Sequence, residues 1–187
     1  MEPTDNPWQI TGSEHVYENP WISLTEYQVI NPGGGKGIYG KVHFKNLAVG
    51  VVAVDDQGSI WLVGQFRFPL EKYSWEIPEG GCPLGTDPLE AAKRELREET
   101  GLIATEWTRL LEIHLSNSVS DEFGIIWKAT GLTRTTPEPE ETERLDVKKI
   151  SLEEAYRLVE TFEITDSLSV AAIQRLWIEE LTKGRGA

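Results

Sequence analysis

The chain has 187 residues, 39% of them hydrophobic and seven of them Trp, enough for one folded domain or one domain with a small appendage. A disordered or low-complexity chain is excluded by that composition. The net charge of −13 argues against a nucleic-acid binder, which needs clustered Lys and Arg, yet admits small phosphorylated substrates if divalent cations lie between phosphate and carboxylate.

In chain order, the start "MEPTDNPWQITGSEH" is acidic and polar and has neither signal-peptide nor transit-peptide character. No apolar run reaches the roughly 18 residues of a membrane span. The single cysteine, Cys82, rules out an internal disulfide framework and a multi-thiolate zinc site. A soluble, cytoplasmic protein without membrane or nucleic-acid partners is expected. Residues 1–46 lack helical periodicity. Within them "WISLTEYQVI" (21–30) and "IYGKVHF" (38–44) read as strands joined through "NPGGGKG". That glycine cluster reads as a turn and not a phosphate loop, because no Gly-Lys-Ser/Thr ending follows and the next segment is β-like.

From Leu47 the pattern changes. "LAVGVVAVDD" and "SIWLVGQFRF" flank "QG" and predict a buried hairpin, followed by a loop through "YSWEIPEGGCPLGT". "DPLEAAKRELREETG" predicts a helix, with Asp87 as N-cap, Pro88 at the first position, Glu90 three beyond the cap and Gly101 past the last turn. "RLLEIHLS" and "FGIIWKATGL" predict strands, "TPEPEETERLD" an acidic loop, and "VKKI" a short strand. "SLEEAYRLVETF" and "DSLSVAAIQRLWIEELTK" predict two capped helices. Helices mixed with hairpins and meanders predict an α+β fold, a mixed sheet packed between helices.

The predicted helix 87–100 poses the chemical question. At about 100° per residue, Leu89, Ala92, Leu96 and Thr100 share a side that can pack on a sheet, while Glu95, Glu98 and Glu99 share an arc about 100° wide on the opposite part. Such like-charge pairs, at i,i+4 and i,i+3, cost about 0.2–0.5 kcal/mol each on an isolated helix. Arg94, four before Glu98, is expected to hold only one of them. A solvated charged face would explain the pattern. So would an oxygen-ligand set for Mg²⁺, which favours carboxylates, waters and substrate phosphates and would offset the repulsion.

Gly80, Arg94-Glu95-Leu96, Glu98-Glu99, Gly101 and Leu102 together resemble the signature of the Nudix hydrolases: a glycine fourteen before the Arg-Glu-aliphatic triplet, then Glu-Glu, Gly and an aliphatic. The match spans 23 residues and agrees at eight of nine specified positions, with Thr86 where the pattern has a first glutamate. The resemblance implies a Nudix fold over 47–187, preceded by an N-terminal β segment, 1–46, exchanged between subunits of a homodimer. It implies Mg²⁺-dependent hydrolysis, with Mn²⁺ as a substitute, of a nucleoside diphosphate linked to another group. It makes Glu95 and Glu99 the main metal ligands, Glu98 a further one, Arg94 the residue that orients them, and the carbonyl near Glu79–Gly80 the completing ligand.

"WEIPEGG" and "GQFRFP" are similar to the ADP-ribose and nucleoside-diphosphate-sugar branch, in which the arginine matching Arg67 meets the diphosphate; Arg67 reads equally as an ordinary exposed arginine beside a strand, and Glu76 as either a base or sugar contact or a surface charge. "SVSDE" (118–122) is similar to that branch's "GFSDE" and offers Glu122 as a substrate or metal-water contact. Asn117 stands where ADP-ribose hydrolases have proline, which keeps GDP-mannose-type sugars open. Trp8, Tyr17, Trp21 and Tyr27 are candidates for base stacking as well as for packing. His15, His43 and His114 form no ligand or triad spacing. In the acidic loop, the branch's pattern puts Glu143 nearest a metal-ligand position and Glu140 or Glu141 nearest the general base, with Glu122 next in line. A non-catalytic, nucleotide-binding regulatory Nudix domain is the alternative, and it would bind nucleotide without metal-dependent turnover.

Overall fold

The computed structural model describes residues 5–136 and 144–183. The chain divides into two compact units. One holds the chain up to Asn46 together with His114–Glu122, the other Leu47–Ile113 and the chain from Phe123 onward.

The first unit is an antiparallel sheet of β1 (Gln9–Glu18), β2 (Ile22–Ile30) and β3 (Lys36–Phe44) in sequential order. The β2–β3 turn forms as expected. Asn31 Oδ1 accepts the N–H groups of Gly33 and Gly35, both at 3.0 Å, and Gly34 takes a φ of 85°, which glycine adopts without Cβ strain. β1 has no counterpart in the sequence reading; its residues are almost all exposed, so no apolar alternation marks it. The segment after His114 lies along β3, with Val42 N–H donating to Val119 O (2.8 Å) and Asp121 N–H donating to Val42 O (3.2 Å).

Among the described residues the second unit carries two sheets and three helices. One sheet has the order β7 (Glu79–Pro83), β4 (Asn46–Ala53), β9 (Phe123–Arg134), β8 (Leu102–His114); the other is β10 (Asp146–Ser151), β5 (Ser59–Arg67), β6 (Lys72–Glu76). The helices are α1 (Pro88–Thr100), α2 (Leu152–Glu160) and α3 (Ser167–Lys183). Along β4 the side chains alternate. Val49, Val51 and Ala53 share one core with Ala91, Ala92 and Leu96 of α1, Cys82, and Ile125 and Trp127 of β9. Gly50 points the other way, where a Cβ would stand 2.9 Å from Ile77 Cδ1 and 3.6 Å from Leu168 Cδ1 of α3. The mixed sheet is therefore sandwiched between helices, the α+β arrangement expected. Fully buried side chains such as Leu96 and Ile126 each contribute about 1.5–3 kcal/mol.

The helix caps are those read from the sequence. Asp87 accepts from Leu89 N–H at 2.9 Å, Gly101 closes α1 at φ 65°, and Ser151 accepts from Glu154 N–H at 3.1 Å. The β4–β5 hairpin is not what forms. A single bridge, Val54 with Ile60, joins the two runs at their turn; beyond it β4 runs parallel to β9, and β5 pairs with β10 and β6. The supposed loop 73–86 contains β6 and β7, each five residues long.

Candidate active site

α1 is built so that its carboxylates face protein and not only water. Leu96 is fully buried and Ala92 likewise, yet Glu95 and Glu99 are only 8% and 2% exposed, which removes the solvated-face explanation. Two carboxylates buried one turn apart need compensation, because an isolated buried charge is costly. Part of it comes from Arg94, whose Nη2 donates to Glu95 Oε1 at 2.6 Å and whose Nη1 donates to Glu98 Oε2 at 3.1 Å. Arg94 thus grips two glutamates, where the sequence reading allowed one. The same Nη2 donates to Gly81 O (2.9 Å) and so ties the helix to β7. The other anchor is the backbone of Glu79, whose N–H donates to Glu99 Oε2 at 3.0 Å.

Gly80 makes this approach possible. A Cβ there would lie 2.3 Å from both Glu95 Cδ and Oε1. Thr86, in the place of a first glutamate, serves the 83–86 turn: its hydroxyl donates to Pro83 O (2.6 Å) and lies 3.1 Å from Cys82 Sγ. Hard oxygen donors on one helix face, two of them buried, fit a divalent cation better than any soft metal. On α1 the side chains that could hold one are Glu95, Glu98 and Glu99, whose carboxylate oxygens do not all come within 4.8 Å of one another.

Among the described residues, one group of three carboxylates comes within 4.8 Å: Glu76, Glu79 and Asp166. Arg67 sits on this group. Its Nε donates to Glu76 Oε1 and Oε2 at 3.0 and 2.9 Å, while its Nη2 donates to Glu76 Oε2 at 2.5 Å and to Glu79 Oε1 at 2.8 Å. Glu76 is 2% exposed, so neither it nor Arg67 is an ordinary surface charge. Burial would lower the basicity of Arg67, but the hydrogen bonds it donates to Glu76 and the charges of Glu79, Glu76 and Asp166 outweigh it and hold the guanidinium above its usual range. Burial pushes the Glu79 carboxyl well above the usual carboxylate range, and Asp166 and Glu76 add to that against the opposing pull of Arg67. Among the described residues, Glu79 Oε2 is buried without a hydrogen-bond partner.

The β6–β7 segment is held from behind by α3. Ile77 N–H donates to the buried Ser169 Oγ at 2.8 Å, and Asp166 Oδ2 accepts from Ser169 N–H at 2.7 Å as the cap of α3. From sequence alone Glu79 offers only its carbonyl and Asp166 only a helix start. Their roles come from pairing across 90 or so residues, which local pattern does not report.

In the first unit a cavity of about 280 Å³ is lined by Trp8, Tyr27, Tyr39, Lys41, Asn117 and Ser120, among others. Trp8 and Tyr39 meet edge to face, centroids 5.2 Å apart. Of the stacking candidates, Trp8 and Tyr27 line this cavity; Tyr17 and Trp21 are exposed. Asp121 fastens the 114–122 segment to β3 by accepting from His43 Nδ1 (2.8 Å), Phe44 N–H (3.0 Å) and Lys41 Nζ (3.0 Å). Burial would raise its pKa, but these partners hold it at about 2. His43, which sequence spacing left without a role, thus belongs to a histidine–carboxylate pair. Glu122 ends the same segment. The loop candidates Glu140, Glu141 and Glu143 lie outside the described residues.

Residues 44–173 match the NUDIX domain, and residues 8–42 match the nucleoside diphosphate sugar hydrolase N-terminal domain. The chain is 39% identical over 171 residues to an ADP-ribose pyrophosphatase of Bacillus subtilis (strain 168), covering 90% of this chain and 92% of that one. It is 33% identical over 184 residues to an ADP-ribose pyrophosphatase of Mycobacterium tuberculosis (strain ATCC 25618 / H37Rv), covering 96% and 87%. Its fold superposes on a crystal structure titled ADP compounds hydrolase with a TM-score of 0.82 over 96% of both chains, at 24% identity.

Proposed function

The chain belongs to the Nudix hydrolase family, and from that premise we propose that it cleaves the diphosphate bond of a nucleoside diphosphate sugar, releasing a nucleoside monophosphate and a sugar phosphate. ADP-ribose is the first substrate in this reading and GDP-mannose-type sugars the second; Mg²⁺ is the cofactor, with Mn²⁺ as substitute. The observation that carries the catalytic reading is the burial of Glu95 and Glu99 one turn apart against β7, beneath Gly80. The substrate class is supported by the N-terminal match and by the activity for which the two bacterial relatives are named.

Glu95, Glu99 and the carbonyl near Glu79–Gly80 would hold the cation, with Glu98 and the loop residue Glu143 as further ligands. A cation bound there supplies Lewis acidity toward the phosphate and lowers the pKa of water. The chain's own contribution is positional. Arg94 keeps Glu95 and Glu98 on one side of α1 and locks that helix to β7. Arg67, with its Nε and Nη2 engaged, turns its Nη1 edge to the diphosphate. Glu140 or Glu141 takes the proton of the attacking water, a role the carboxylates committed to metal fill poorly; Glu122 is the next candidate.

Residues 1–46 act in this proposal as a segment exchanged in a homodimer, each contributing to its partner's site, while 47–187 form the hydrolase domain. The exposed apolar side chains Ile10 and Val16 on β1, Ile38 on β3 and Trp21 between β1 and β2 support it. No helix among the described residues is long and apolar enough to cross a membrane, and a cytoplasmic location completes the reading. One panel tests it: ADP-ribose, GDP-mannose, UDP-glucose, dinucleotides and nucleoside triphosphates with Mg²⁺, reading the products. Cleavage of a sugar nucleotide to monophosphate and sugar phosphate is expected. Release of pyrophosphate from triphosphates, with no sugar nucleotide cleaved, overturns it.

A further inference from the structure

Arg67 is tied down more heavily than orientation alone requires. Its Nε–H and one Nη2–H go to Glu76, which by itself fixes the plane of the guanidinium in a bidentate pair. The remaining Nη2–H goes to Glu79 at 2.8 Å, with the carboxylate of Asp166 in the same 4.8 Å group. Arginine has five donors and no acceptor. A second carboxylate on Nη2 therefore adds no further plane; it withdraws a donor that an anion would otherwise use. The backbone of the same Glu79 reaches α1, its N–H donating to Glu99.

We propose that Glu79 is a specificity-determining residue that restrains Arg67 and so selects against substrates with more phosphate than a diphosphate. A diphosphate diester needs one guanidinium edge, and Nη1 supplies it. A longer, more highly charged phosphate chain needs additional donors, and it meets Glu79 and Asp166 where those donors would be. The inference rests on the reading of this site as a phosphate site, and it refines which phosphates the site takes. Removal of Glu79 frees the Nη2 donor and also removes a competing acceptor, so both effects act in one direction.

The test is calorimetric binding of inorganic tripolyphosphate and pyrophosphate at saturating Mg²⁺, which needs no turnover and is independent of whether ADP-ribose is cleaved. Proteins compared are the intact chain, Glu79→Ala, Arg67→Met, the double variant, and Asp166→Asn. Asparagine caps a helix as well as aspartate does, so the last variant keeps the α3 cap while removing charge. Glu79→Ala should bind tripolyphosphate roughly fivefold more tightly, the scale of one partly exposed ion pair, with a smaller gain for pyrophosphate. Asp166→Asn should shift the same way. In the Arg67→Met background the Glu79→Ala gain should shrink to the part that comes from lost carboxylate repulsion alone, since coupled residues are non-additive. The inference is overturned by unchanged or weaker tripolyphosphate binding in Glu79→Ala, or by an equal gain in the absence of Arg67. If Glu79→Ala fails to fold, a flat response in Asp166→Asn overturns it, as does a lack of binding by every variant.

Discussion

The carboxylate of Glu95 fills the space where a side chain on Gly80 would begin, with its Cδ and Oε1 2.3 Å from that ideal Cβ position. The glycine that opens the sequence signature and the glutamate fifteen residues later are thus one packing unit, and the spacing between them records how β7 lies under α1.

Gly80→Ala should therefore displace Glu95 from beneath β7. Overpacking of this kind costs about 1–3 kcal/mol of stability, and the displaced carboxylate should weaken divalent-cation affinity by roughly 10- to 100-fold, as loss of ligand support does. Urea unfolding and Mn²⁺ titration measure the two effects. A variant as stable as the parent and with the same Mn²⁺ affinity would show that Glu95 relocates without consequence.

Glu95→Gln and Glu99→Gln should keep the fold and lose cation-dependent turnover, because each keeps the shape of the side chain while removing the charge that a hard cation requires. Folding should survive, as the change relieves like-charge repulsion on α1. Comparable Mg²⁺-dependent rates in both variants, with unaltered circular dichroism, would exclude them as ligands.

Single Gln variants at Glu140, Glu141 and Glu143 separate the candidate base from the candidate ligand. Loss of the base should slow single-turnover hydrolysis by on the order of 10²–10⁴ with substrate affinity largely intact. If none of the three slows it by even about tenfold, far short of that range, the base is elsewhere and Glu122 is tested next.

Ser169→Ala leaves the buried N–H of Ile77 without its acceptor. An orphaned buried donor costs about 1–3 kcal/mol, which denaturant unfolding resolves, and turnover should fall because Glu76 and Glu79 flank the loosened residue. A stability within a few tenths of a kcal/mol of the parent would mean that another group has taken over that N–H.

Asp121 predicts an acid limit for the first unit. Its pKa in the fold, about 2, lies below the ordinary 3.8. A carboxylate depressed in this way adds stability that is present above the ordinary value and is lost as pH falls from near 3.8 through 2. The 114–122 segment should therefore loosen in that window, seen as loss of amide protection at Val42 and Phe44. In Asp121→Asn the same amides should already be weakly protected at neutral pH; unchanged protection there would remove Asp121 from the account.

α1 was legible in the sequence because three local rules agree on it: Asp87-Pro88 at one end, Gly101 at the other, and a helical period between. The burial of Glu95 and Glu99 was not, since a charged arc reads the same whether it faces water or a strand. The β4–β5 pairing was misread for a related reason. Val49 to Ala53 are buried on both faces, the mark of a strand covered by helices on each side, but a short turn followed by a second apolar run looks locally like a hairpin. β6 and β7 escaped because Pro78 stands between them and two glycines fall within β7. Arg94 holding two glutamates needed the third dimension, as did Arg67, whose partners Glu76 and Glu79 lie nine and twelve residues away.

The hydrogen bond from Ile77 to Ser169 spans 92 positions of the chain. During synthesis, which proceeds from the N-terminus at roughly 5–20 residues per second, the whole glutamate-bearing helix emerges seconds before the residue that steadies the strands beneath it. A nascent chain halted before α3 would carry every residue of the signature but lack the Ser169 acceptor for the Ile77 N–H. Activity should thus arrive late and abruptly as the protein is made, with the last helix acting as the final step that locks the catalytic strands in place.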